Sequence, residues 1–92
     1  MDQFEKYHQA SLKAFSKVPH FVFINDPTED EMNHIIEIGA SVMMTRDGVL
    51  PGGSFVHAIV NNDLATAVGC ADRTCERSIK FFVHCNQFVH PN

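Results

Sequence analysis

Thr28 follows the turn residues Asn25-Asp26-Pro27 and stands three residues before Glu31, and this arrangement marks a helix start. In Thr28-Glu29-Asp30-Glu31 the threonine oxygen accepts from the third helical N–H, while the Glu31 carboxylate accepts from the Thr28 N–H. The acidic first turn also suits the positive end of the helix dipole. The segment that follows carries Met32, Ile35, Ile36, Gly39, Val42 and Met43 on one face at helical spacing. Gly48 after Asp47 is suited to a C-terminal cap. The pattern predicts a helix over about 29–46. Glycine inside a helix costs about 1 kcal/mol relative to alanine. Gly39 therefore either splits the element near 39–41 or lets a neighbour approach its backbone.

The remaining punctuation cuts the chain into further short helices. Residues 3–17 place Phe4, Tyr7, His8, Ser11, Ala14, Phe15 and, just beyond, Val18 on one face. Pro19 ends that pattern, because the residue before proline is pushed out of the α region. Phe21-Val22-Phe23-Ile24 is either one buried strand or an extended linker over the core. A linker is expected, since no second strong strand exists to pair with it. Val49-Leu50-Pro51-Gly52-Gly53 is a tight connection, and Ser54 stands at an N-cap position before Phe55, Ile59 and Val60. Asn61-Asn62-Asp63 interrupts this helix, and Asn62 or Asp63 caps a short one from Leu64 to Val68. Asp72 caps a last helix over about 73–89. The expected fold is all-α, a small bundle of four to five short helices in a single domain over 1–92.

Composition narrows the function classes. With 92 residues, 45% hydrophobic and 20% charged, the chain has a globular balance and room for one core. A net charge of −4 argues against non-specific binding to nucleic acid. No apolar run approaches the roughly 20 residues of a membrane span, and the start MDQFEKYHQA lacks a signal-peptide core. Short amphipathic helices this rich in apolar residues leave faces that one small core does not cover, so a homo-oligomer is expected.

Cys70, Cys75 and Cys85 are odd in number, a poor disulfide framework. On one helix, Cys75 and Cys85 stand about 15 Å apart, whereas a disulfide needs Cα atoms within about 7 Å. With His84 the spacing is C-x4-C-x8-H-C, which is not a zinc-finger pattern. Free structural thiols in a reducing cytosol are expected, with no metal and no cofactor.

The last helix carries two stripes. Ala71, Cys75, Ser78, Ile79, Phe82, Asn86 and Val89 share one, and Arg73, Arg77, Lys80 and His84 share the opposite one. The basic stripe is either a solvated face or an anion site, because arginine grips phosphate in a fork. Asn62 and Asp63 either cap helix ends or belong to a polar pocket that reads a base or sugar. None of the six histidines stands at a recognised spacing, and no H-E-x-x-H, G-x-S-x-G or phosphate-binding glycine loop occurs. No enzyme is expected. Arg73, Arg77, Lys80, His84, Asn62 and Asp63 are the candidate binding residues.

From Gly48 to Asp72 the chain resembles a family of short bacteriophage and prophage proteins. The shared pattern is Pro51, Gly52, Gly53, Phe55, Ala58, Ile59, Asn62, Asp63, Leu64, Ala67, Ala71 and Asp72. Cys70 replaces an arginine common in that family, and Cys85-Asn86 stands for an aromatic-asparagine pair. The resemblance implies a phage origin and a helical fold. Small phage proteins without catalytic motifs often block host machinery by binding it. The expected function is therefore an inhibitor of a host defence or regulatory protein in the host cytoplasm. The alternative is an oligomeric sponge for an anionic nucleotide second messenger.

Overall fold

The capping box at Thr28 forms as the residue pattern requires. Glu31 N–H donates to Thr28 Oγ1 at 3.1 Å and Thr28 N–H donates to Glu31 Oε1 at 2.9 Å. It opens the second of six helices in a computed structural model that describes residues 2–17 and 28–91. They are α1 (Gln3–Lys17), α2 (Glu29–Arg46), α3 (Ser54–Val60), α4 (Leu64–Cys70), α5 (Arg73–Arg77) and α6 (Ile79–Phe88). Among the described residues there is no strand, and the fold is all-α. Val18 and Phe21–Ile24, the expected linker, lie outside the described residues. No described helix is long and apolar enough to cross a membrane.

Local chemistry ends the helices as cleanly as it starts them. After α2, Gly48 takes a φ of +74°. Its N–H donates to Thr45 O, and Val49 N–H donates to Met44 O, which together make a Schellman motif. After α3 the same pair of bonds recurs, with Asn62 at φ +59° and Asp63 N–H donating to Ala58 O. Asp63 then caps α4 by accepting from Thr66 N–H, and Asp72 caps α5 by accepting from Cys75 N–H. The α2–α3 connection is tied by Thr45, whose Oγ1 donates to Leu50 O and accepts from Gly52 N–H. The expected cap at Ser54 is displaced by one residue: Gly53 is the N-cap and Ser54 is the first helical residue.

α2 is the central element and packs on α1, α3 and α6. Its Ile35, Val42 and Met43 are fully buried with Phe81, Phe82 and Cys85 of α6. Phe81 meets Phe15 of α1 edge-on at a centroid distance of 5.6 Å, and Phe82 meets Phe55 of α3 at 5.5 Å. α2 runs unbroken through Gly39, so the close-approach alternative is the one realised. On α1 the buried residues are Tyr7, Ser11, Ala14 and Phe15, while Phe4 and His8 of the expected face are exposed.

The expected single last helix over 73–89 is corrected to two. The break falls at Ser78, whose N–H bonds back only three residues to Cys75 O. Ser78 is fully buried and its hydroxyl has no partner among the described residues. Phe81 and Cys85 of α6 are fully buried although the apolar stripe read from the sequence omits them; Cys85 stands seven residues from Ser78 and shares its face. The break at Ser78 raises the count above the expected four to five.

Candidate functional site

The basic stripe is divided by the break at Ser78. Arg73 and Arg77 are exposed on α5. The Thr28 N–H holds the Glu31 carboxyl below its ordinary range, and the charges of Arg77 and Arg73 add to this effect. Those two arginines thus already face the acidic start of α2. Lys80 is exposed on α6. His84, half-buried one turn further on, stacks against Phe88 at 5.6 Å. Asn62 and Asp63 sit apart from all four, in the α3–α4 turn. There they line a small apolar pocket of about 220 Å³ with Leu64, Ile79 and Val83. Their backbone and carboxylate groups are engaged in ending α3 and starting α4.

His84 belongs to a larger feature that periodicity along one helix does not disclose. A groove of about 960 Å³ runs between α1 and the end of α6. Its rim holds Lys6, Lys13 and Lys17 of α1 with His84 and His90, and its floor holds Ala10, Leu12, Ala14, Phe88 and Val89. Three of the four lysines of a net-negative chain therefore gather on one groove. No carboxylate is among the described residues lining it. Phe88 is 68% exposed, so much of the floor is open to a partner. The i, i+7, i+11 spacing of Lys6, Lys13 and Lys17 was the legible signal, but its partner face 70 residues on was not.

A second cluster joins α2 to α5. His34 Nε2 lies 3.0 Å from Asp72 Oδ2 and 3.6 Å from Cys75 Sγ. The three ligand atoms all lie within 4.8 Å of one another. Asp72 is held by its own cap, since its Oδ1 accepts from Cys75 N–H at 2.7 Å. That bond is the main cause of a carboxyl kept below its ordinary range, with the Cys75 thiol and His34 adding to it. Burial, reinforced by the Asp72 charge, pushes the Cys75 thiol up to about 12. Burial alone does the same for Cys85, pushed up to about 12. Both thiols therefore keep their protons at neutral pH, while Cys70 is exposed. Asp72 and Cys75 are close in sequence, but His34 enters only through the packing of α2 on α5.

No known protein family, curated protein or solved structure matches this chain.

Proposed function

We propose that this protein acts by stoichiometric binding and not by turnover, as a phage-type inhibitor that blocks a host defence or regulatory protein in the host cytoplasm. The observation that supports this most is the groove between α1 and α6, with its cationic rim and apolar floor on a chain of charge −4. A surface of that kind is complementary to an acidic, amphipathic segment, whose apolar side chains meet Leu12 and Phe88 while its carboxylates meet the lysines. Arg73 and Arg77 lie near enough to Glu31 for their charges to lower its carboxyl, whereas no carboxylate is among the described residues lining the groove beside the α1 lysines.

Native purification from host cells, followed by size-exclusion chromatography and mass spectrometry, tests this proposal. A host protein should co-elute with the wild type and be lost from Lys13→Glu with Lys17→Glu. The pair Arg73→Ala with Arg77→Ala should weaken retention far less. Recovery of a nucleotide in place of a protein supports the sponge alternative. Recovery of neither, from cells in which the protein is active, removes both. Self-association belongs to the same proposal, since Leu64 and Val68 stand one turn apart and exposed on α4. Light scattering that reads a monomer at every concentration removes that part.

A further inference from the structure

We propose that His34, Asp72 and Cys75 bind one divalent transition-metal ion of the zinc type, with a fourth position open to solvent. An imidazole nitrogen, a carboxylate oxygen and a sulfur converge here from two helices and the cap between them. Zinc binds sulfur at about 2.3 Å and nitrogen or oxygen at about 2.0–2.2 Å with tetrahedral angles, which sets S···N near 3.6 Å and N···O near 3.4 Å. The observed separations are 3.6 Å for Sγ to Nε2 and 3.0 Å for Nε2 to Oδ2. Those two sides of the donor triangle are thus within a few tenths of an ångström of the ones an ion requires, and all three atoms lie within 4.8 Å of one another.

The Cys75 thiol and the His34 ring already converge on the Asp72 carboxylate by hydrogen bonds. One ring nitrogen, Nε2, faces both Asp72 Oδ2 and Cys75 Sγ, and a single N–H is aimed well at only one of them. A cation on the common side serves all three atoms. Asp72 Oδ1 is already bound to Cys75 N–H, so Oδ2 is oriented before any ion arrives. As the metal–sulfur bond forms, the thiol proton leaves to solvent. The resulting thiolate and carboxylate neutralise a divalent ion. Thiolate and imidazole select zinc, cobalt or nickel over magnesium and calcium. The His34 and Asp72 side chains are 40% and 58% exposed, so the fourth position faces water. Three protein ligands with one open position match metal sites that accept an outside donor.

The test uses the full metal-stripped chain, titrated with cobalt(II) and then with zinc. One equivalent of cobalt should bind with a thiolate-to-cobalt charge-transfer band, and zinc should displace it and raise the Tm. Cys75→Ser should abolish the band. His34→Ala should weaken zinc binding more than about 100-fold, since losing even an outer partner of a metal ligand costs 10–100-fold. Cys70→Ser should bind as the wild type does. His34 is partly exposed, so its variant reads the site even where Cys75→Ser fails to fold, with circular dichroism checking the fold. Absence of metal uptake by the wild type overturns the proposal. Unchanged affinity in His34→Ala, or a cobalt band lost in Cys70→Ser, also overturns it.

Discussion

The Ser11 hydroxyl occupies the space in which a side chain at residue 39 would begin. A Cβ built on Gly39 lies 2.5 Å from Ser11 Oγ, with Phe81 Cε2 at 3.1 Å and Cys85 Sγ at 3.3 Å behind it. Ser11 has no room to retreat, because it is fully buried and its hydroxyl donates to Ile36 O at 2.7 Å. α1 and α6 thus close on α2 at the one position without a side chain.

Gly39→Ala should therefore destabilise the protein. Alanine recovers about 1 kcal/mol of helix propensity, while overpacking a closed core costs about 1–3 kcal/mol. A net loss of up to about 2 kcal/mol is expected in urea denaturation. Adding Ser11→Ala should give a double variant more stable than the sum of the two single effects, because the two groups compete for one space.

Arg46 ties the end of α6 to the end of α2. Its Nη1 donates to the carbonyl oxygens of Cys85, Asn86 and Val89 at 2.9, 3.0 and 2.8 Å. Its Nε and Nη2 hold the two oxygens of Asp47. Arg46→Ala should cost about 2–3 kcal/mol, since charged hydrogen bonds are lost and carbonyls at a helix end are left unpaired. Arg46→Lys should restore only part of this, because an ammonium lacks the planar fork. Thermal denaturation of the two variants beside the wild type reads the difference.

Acid should weaken the fold through Asp47. The Arg46 hydrogen bonds hold its carboxyl below the ordinary range, opposed by burial and assisted by the Tyr7 hydroxyl, which donates to Oδ2 at 2.7 Å. A folded pKa below the unfolded value of about 3.9 gives stability that is fully present above about pH 5. That stability is lost as pH falls through the folded value. Asp47→Asn should be the less stable protein at neutral pH, and its stability curve should approach that of the wild type as pH falls toward 3. Some slope should persist in the variant, because Glu31, Asp63 and Asp72 are lowered as well. Denaturation across about pH 3–7 gives both curves, and parallel curves would remove Asp47 as a source of the acid sensitivity.

Thr28 is exposed, so its cap can be altered without touching the core. Thr28→Ala should lower stability by about 1 kcal/mol, and Thr28→Ser should be close to neutral. Equilibrium unfolding of both separates loss of the hydroxyl from loss of the methyl group.

The residues alone determined where most helices begin and end. Thr28 with Glu31, Asp63 with Thr66 and Asp72 with Cys75 each close a bond across three residues, and Gly48 closes the turn after α2. Those bonds depend on neighbours in the chain, so the pattern carries them. The tertiary structure decided which faces are buried and what they bring together. The stripe read along the last helix omits Phe81 and Cys85, yet both are fully buried, Phe81 against Phe15 of α1. Likewise His34 reaches Asp72 and Cys75 across 38 and 41 residues, and the α1 lysines line one groove with His84. Such meetings depend on the volumes of packed side chains from several helices. No local spacing encodes that quantity, which is why the capping residues were legible and both candidate sites were not.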